Sequence, residues 1–169
     1  MIVNHLVAIF VKNKPERQFM INWQRLSFEE LTTIQLYELL KLRVEVFVVE
    51  QNCPYPELDE KDLINGVYQL IGYQDGVIVA CARLLEPGIS FDKVSIGRIA
   101  IKQSARGNGL GHQLFRKALI ECQELWPNQT IDIQAQEYLK DFYQGYDFKG
   151  YTDSYLEDGI PHIDMRLEK

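Results

Sequence analysis

Six consecutive residues, Arg106-Gly107-Asn108-Gly109-Leu110-Gly111, lie between a strand-like apolar run and a helix-like apolar stripe. A phosphate cradle belongs at such a junction. The N-terminus of a helix exposes unpaired backbone N–H groups and the positive end of the aligned peptide dipoles. Glycines let that backbone approach a diphosphate closely, and Arg106 adds a positive charge. Two common glycine-rich loops do not fit. A Walker A loop closes on Gly-Lys-Ser/Thr, whereas this one closes on Gly111-His112. A dinucleotide fingerprint is spaced G-x-G-x-x-G, whereas Gly107, Gly109 and Gly111 run G-x-G-x-G. A glycine turn ahead of an ordinary helix is the structural alternative.

The elements that must hold this loop are legible on both sides of it. Residues 67–73 and 77–85 are apolar, β-branched runs joined by Gln74-Asp75-Gly76, a hairpin signal. A third run, 94–101, leads into the loop. Beyond it Leu110, Leu114, Ala118, Cys122 and Leu125 recur at helical spacing, which predicts a helix over 109–125 bounded by Pro127. A short strand follows at 131–135, a short helix at 138–145, and strands at 148–151 and 163–167. Upstream, Ser27-Phe28-Glu29-Glu30 has capping-box spacing. The stripe Leu36, Leu40, Val44 and Phe47 predicts a helix over 33–47, stopped before Pro54 and Pro56. The order of elements predicts an α/β domain: a mixed, mostly antiparallel central sheet flanked by helices.

A chain of 169 residues suits one such domain. A polar seam at Lys12-Asn13-Lys14-Pro15-Glu16-Arg17 divides an extension, 1–19, from the domain, 20–169. The extension is either an added strand at 3–11 or a segment ahead of a true start at Met20. With 18 basic against 24 acidic residues the net charge is −6, which disfavours nucleic acid or an anionic membrane as partner and favours a cationic acceptor. Cys53, Cys81 and Cys122 are odd in number and widely spaced, so neither a disulfide framework nor a metal site is expected. The apolar run 6–11 is too short to span a bilayer, and a reducing cytoplasm is the expected compartment.

The loop Arg106 to Gly111 resembles the (Arg/Gln)-x-x-Gly-x-(Gly/Ala) motif of the GNAT acetyltransferases. About thirty residues further on, Leu139-Lys140-Asp141-Phe142-Tyr143-Gln144-Gly145-Tyr146-Asp147-Phe148 resembles the second motif of that family. Two more segments are similar to an ElaA-like subgroup of it: Leu42-Arg43-Val44-Glu45-Val46-Phe47-Val48-Val49-Glu50-Gln51-Asn52-Cys53-Pro54-Tyr55, and Glu157-Asp158-Gly159-Ile160-Pro161-His162-Ile163. The resemblance runs from Ile21 to the C-terminus. Gln103 and Asp147 depart from the family pattern, standing where proline and glycine are frequent.

This resemblance implies the acyl-CoA N-acyltransferase fold and transfer of an acetyl group from acetyl-CoA to a primary amine. The acceptor is then a small-molecule or peptide amine. It implies that Arg106, Gly107, Asn108, Gly109, Leu110 and Gly111 hold the diphosphate. The strand through Ile99, Ala100 and Ile101 is expected to pair with the pantetheine, the Ile99 N–H facing the thioester oxygen. Gln136 stands where many members carry an asparagine that contacts the pantetheine arm. Tyr143 matches the position of the family's general acid; its alternative is a core ring beside Phe142 and Tyr146. For the base that takes the amine proton, Glu50 lies where the first helix breaks, and His162 offers an imidazole. Arg83 and Arg98 sit within apolar strands and call for carboxylate partners. The acidic stretch 57–62 is either a lure for a cationic acceptor or a solvated loop. A sheet-edge homodimer is compatible with the fold. Two other readings are a non-catalytic acyl-CoA-sensing module on the same fold and a structural subunit recognised through the Pro54–Pro56 loop and the N-terminal extension.

Overall fold

A computed structural model describes residues 20–169; the extension 1–19, with its strand over 3–11 and the choice of Met20 as a start, lies outside the described residues. Strand β1 (Asn22–Ser27) leads to helix α1 (Thr33–Arg43), which runs on as a π-helical turn, Val44–Glu50. Strands β2 (Val67–Gln74), β3 (Val77–Leu85) and β4 (Val94–Ile101) follow, then helix α2 (Leu110–Leu125). Strand β5 (Ile131–Gln136), helix α3 (Lys140–Gln144) and strands β6 (Lys149–Gly150), β7 (Tyr155–Glu157) and β8 (Ile160–Leu167) complete the described chain. The sheet order is β1-β2-β3-β4-β5-β8-β6, with β7 also on β8. All pairings are antiparallel except β4 with β5.

Helices cover both faces. Leu114, Phe115, Ala118 and Cys122 of α2 are fully buried against Ile96, Ile131, Ile133 and Met165, with Tyr143 of α3 in the same cluster. On the opposite face Leu39, Leu42 and Val46 pack on Ile71, Ile78, Cys81 and Ala100. The hairpin at Asp75-Gly76 is as expected: both residues have positive φ, 50° and 79°, the backbone a two-residue turn between twisted strands requires.

Four expectations are corrected. Ser27 and Glu30 do not cap α1. The Glu30 carboxylate accepts from the Ser27 N–H at 2.8 Å and closes a turn after β1. The capping box is Thr32 with Gln35, each side chain accepting from the other's backbone N–H, at 3.2 and 3.0 Å. Two S/T-x-x-E/Q patterns five residues apart compete for one helix start, and the second stands where the helix begins. The stripe is also rotated: Leu39, Leu42, Arg43 and Val46 face inward, because α1 is apolar on several sides and the ion pairs of buried Arg43 choose among them. The helix expected over 33–47 changes to π-type at Val44, and its frame of i→i+5 bonds, including Gln51 N–H to Val46 O at 3.3 Å, carries it to Glu50. Finally, β7 was not foreseen; it pairs with β8 across a second Asp-Gly turn, Asp158 (φ 50°) and Gly159 (φ 79°).

Candidate active site

Strands β4 and β5 pair only at Val94↔Ile131 and Ser95↔Asp132. Both continue beyond, to Ile101 and Gln136, with no further pair among the described residues, so a wedge opens within the sheet. On its other side β4 bonds to β3, but that ladder steps from Arg83↔Gly97 to Cys81↔Ala100. Arg98 and Ile99 thus oppose Ala82 alone, a β-bulge. Burial pushes the Cys81 thiol up to about 12, so it stays protonated, and its S–H donates to the Arg98 carbonyl at 3.6 Å. A trans peptide holds its C=O and N–H antiparallel. With the Arg98 carbonyl taken by the Cys81 side chain, the Ile99 N–H is turned away from that side chain.

At the end of β4 the cradle begins. Gly107 and Gly109 have φ of 93° and 72°, and a Cβ added to either would meet nothing within 4 Å among the described residues. The backbone conformation, rather than crowding, calls for glycine there. Gly111 differs, since its added Cβ would make an ordinary 3.6 Å contact with Ile101 Cδ1. Helix α2 starts on Gly109 without a side-chain cap among the described residues, and its first internal bond is Gln113 N–H to Gly109 O, 3.2 Å. The N–H groups of Leu110, Gly111 and His112 are therefore open to an anion above the loop.

Arg106 is less free than its position in the loop suggests. Its Nε and Nη2 donate to the Ile101 carbonyl at 3.0 and 2.8 Å, and a fork of Nη1 and Nη2 holds Glu50 at 2.5 and 2.8 Å. The Arg106 hydrogen bonds lower the pKa of the Glu50 carboxyl, which makes it a poorer proton acceptor. Glu50 thus ties the π-helical turn to the cradle.

Tyr143 is buried, its ring centroid 5.1 Å from those of Phe115 and Phe142 and 6.3 Å from that of Phe148. Burial raises its pKa, so the phenol stays protonated, and no hydrogen bond among the described residues contributes to that shift. It shares a packed cluster with Ile96, Ile99 and Ala135, which border the wedge.

Across the wedge, β5 and β8 present a polar face: Asp132 opposite Arg166, Gln134 opposite Asp164, and Gln136 opposite His162. His162 Nδ1 lies 2.8 Å from the Ile160 carbonyl. A carbonyl only accepts, so Nδ1 carries the proton and the neutral ring keeps its lone pair on Nε2. The Tyr155 ring stacks on it at 6.4 Å and 28°. The Gln136 amide is engaged by Gln51, with Nε2 donating to Gln51 Oε1 at 3.1 Å. That pair bridges the end of the π-helical turn to the end of β5. Gln51, Cys81 and the bulge at Arg98 were not singled out as site features from sequence, where nothing in residue type or spacing marks them.

The acidic stretch 57–62 corrects both of its expectations. It is neither a solvated loop nor a lure for cations, because its carboxylates neutralise buried arginines. Fully buried Arg43 bonds Glu57 at 2.5 Å and Asp62 at 2.9 Å. Arg83 bonds Asp59 at 2.6 Å and Asp62 at 3.1 Å, and Gln69 also donates to Asp62. Arg98 lies 2.8 Å from Glu57 and 3.3 Å from Asp59, and the Tyr55 hydroxyl donates to Glu57. Three guanidinium groups thus meet three carboxylates. Burial alone would raise the Asp59 pKa, but Arg83 and Arg98 bring it from 3.8 to about 2, and Asp62 is lowered by Arg43 and Arg83. A carboxyl whose folded pKa lies below its unfolded value stabilises the fold above the unfolded value and loses that contribution as pH falls. Acid unfolding followed by circular dichroism is therefore expected to draw on Asp59 between about pH 4 and 2. Asp59→Asn should lower stability at pH 7 and lose less of what remains across that window.

The wedge beside the strand bulge thus leads to an uncapped helix opening on a glycine loop, with buried Tyr143 bordering it. The chain belongs to the GNAT acetyltransferase family: the family model described as an acetyltransferase (GNAT) domain matches residues 37–169. It is 44% identical to the protein ElaA of Escherichia coli over 149 residues, 88% of this chain and 97% of that protein. The crystal structure of an acyl-CoA N-acyltransferase from Pseudomonas aeruginosa superposes with a TM-score of 0.84 at 44% identity, covering 87% of this chain and 99% of that one. The crystal structure of Escherichia coli ElaA gives 0.83 at 43% identity, with 88% and 100% covered. No helix among the described residues is long and apolar enough to cross a membrane, and no group of three or more His, Cys, Asp or Glu among them is arranged to hold a metal.

Proposed function

We propose that the protein transfers an acetyl group from acetyl-CoA directly to the primary amine of a small or peptide acceptor. The observation that carries this reading is the bulge at Arg98 and Ile99, where Cys81 takes the Arg98 carbonyl; we assign the opposed Ile99 N–H to the wedge, which leads to an open helix N-terminus. The residues fit the donor. The N–H groups of Leu110, Gly111 and His112, with the backbone of Arg106 to Asn108, receive the diphosphate, while Glu50 holds Arg106 in place. The strand Ile99 to Ile101 offers its free edge to the pantetheine. Gln136 can turn to that arm by leaving Gln51, an exchange of one amide partner for another.

His162 Nε2 is the lone pair suited to take the amine proton, and the lowered Glu50 carboxyl is not. As the amine nitrogen bonds to the carbonyl carbon, the Ile99 N–H stabilises charge on the oxygen; a preorganised donor of this kind is worth about 3 kcal/mol. The C–S bond then breaks. Because burial holds Tyr143 protonated, it serves as a hydrogen-bond donor to the departing sulfur and keeps its proton. The thiolate leaves and is protonated outside, while His162 returns its proton to solvent. With the carboxylates of 57–62 spent on internal arginines, net acidity no longer favours a cationic acceptor at this site. We place the chain in the cytoplasm on its free, buried thiols.

Calorimetry with acetyl-CoA tests the donor site. Wild type should bind, and Gly109→Glu should bind at least about tenfold more weakly, since it forces a side chain to positive φ and sets a carboxylate at the diphosphate site. Equal affinities would remove the cradle from the account. Binding with no turnover across a broad amine panel would favour the sensing reading.

A further inference from the structure

Strand β4 carries an arginine where its backbone asks for glycine. Arg98 and Ile99 stand against Ala82 between the pairs Arg83↔Gly97 and Cys81↔Ala100. A one-residue bulge takes two backbone forms: its first residue is near the right-handed helical region in one and left-handed in the other, the second ordinarily reserved for glycine. Arg98 has φ 51°. The bulge has adopted the glycine form with a long side chain in the glycine position, and such a conformation persists only when its surroundings impose it.

The surroundings are specific. Arg98 Nε lies 2.8 Å from Glu57 Oε2, its Nη2 3.3 Å from Asp59 Oδ2, and its guanidinium 5.7 Å from the centre of the Tyr55 ring. The Nε contact is close but not directed as a hydrogen bond, whereas Nη2 donates one to Asp59. Glu57 and Asp59 are fixed in turn by Arg43 and Arg83. Removing Arg98 therefore leaves both carboxylates paired and the anchor intact. A Cβ added at the neighbouring Gly97 would meet nothing within 4 Å among the described residues.

We propose that Arg98 is a positioning residue: its ion pairs with Glu57 and Asp59 select the left-handed form of the bulge and thereby aim the Ile99 N–H into the wedge. This rests on the acyl-transfer reading above for its effect on rate, but not for its effect on the backbone. Without the guanidinium, an ordinary residue at 98 relaxes to the right-handed form. The peptide after it turns, and its carbonyl leaves Cys81. The number of residues between the flanking pairs is unchanged, so the register of the sheet persists.

The test compares Arg98→Ala with Arg98→Gly by crystal structure, acetyl-CoA calorimetry and steady-state kinetics. In Arg98→Ala residue 98 should move to negative φ and kcat fall roughly 10- to 100-fold, part of the loss of one such donor, with acetyl-CoA affinity within about twofold of wild type. Arg98→Gly should keep positive φ, because glycine needs no clamp, and recover most of kcat. Positive φ with undiminished kcat in Arg98→Ala would overturn the proposal. So would an Arg98→Gly that keeps positive φ yet is as slow as Arg98→Ala, since the guanidinium would then act by itself. If wild type acetylates no amine, the acyl-transfer reading fails, while the two φ values still decide whether Arg98 selects the bulge.

Discussion

Replacing Arg43 by alanine is expected to destabilise the protein by about 3–5 kcal/mol, the usual cost of removing one partner from a buried ion pair. Arg43 has no exposed side-chain surface, and its two carboxylate partners are nearly as deep, at 2% and 12%. Burial works against its charge, and Asp62 and Glu57 more than restore it. Alanine would leave Glu57 with Tyr55 and Arg98, and Asp62 with Arg83 and Gln69. Three carboxylates would then share two guanidinium groups below the surface. Net stabilities of domains are themselves about 5–15 kcal/mol, so the variant should be near its folding threshold. Urea unfolding at pH 7 measures this. A loss below about 1 kcal/mol would mean that water reaches the cluster and that its burial is not energetically decisive.

Tyr143→Phe is expected to lower kcat about 100-fold while acetyl-CoA affinity stays within about twofold. The substitution removes one hydroxyl and keeps the ring, so its packing against Phe115, Phe142 and Phe148 survives and thermal stability should hold. Because burial raises the Tyr143 pKa, ionisation of that phenol should not shape the neutral part of the pH–rate profile. His162→Gln, which removes the free Nε2 lone pair, should lower kcat in the same assay. A fall in kcat of less than about threefold for Tyr143→Phe would reduce Tyr143 to a core ring, the alternative its neighbours in sequence already suggested.

What sequence disclosed here follows from how local each determinant is. The cradle is a strand end, a glycine loop and a helix start within about twenty residues, and β4 and α2 fall within a residue of their expected bounds. The β2–β3 hairpin was equally plain, since Asp75-Gly76 writes its turn locally. The same signal stood at Asp158-Gly159, but the flanking residues of β7 are Tyr, Leu and Glu, too short and too exposed to announce a strand. The inward face of α1 could not be chosen from its own residues, because a buried arginine there is legible only once Glu57 and Asp62 are known to reach it. Arg83 and Arg98, arginines within apolar strands, call for partners, and the acidic stretch 57–62 stands as plainly in the sequence. Joining the two required the loop to fold over the sheet, a contact between residues up to 41 positions apart. The bulge depends on a one-residue mismatch between two strands, which no single strand records.

The parting of β4 from β5 also has a mechanical meaning. Two pairs at one end, Val94↔Ile131 and Ser95↔Asp132, make a short hinge between panels of the sheet, and the Gln51–Gln136 amide contact is a light clasp at the other end. A clasp of two neutral amides costs little to undo, whereas a guest lying along both panels would brace them. Occupancy of the wedge should then be felt as stiffness across the whole sheet, with amides far from the guest exchanging more slowly with solvent once it is in place.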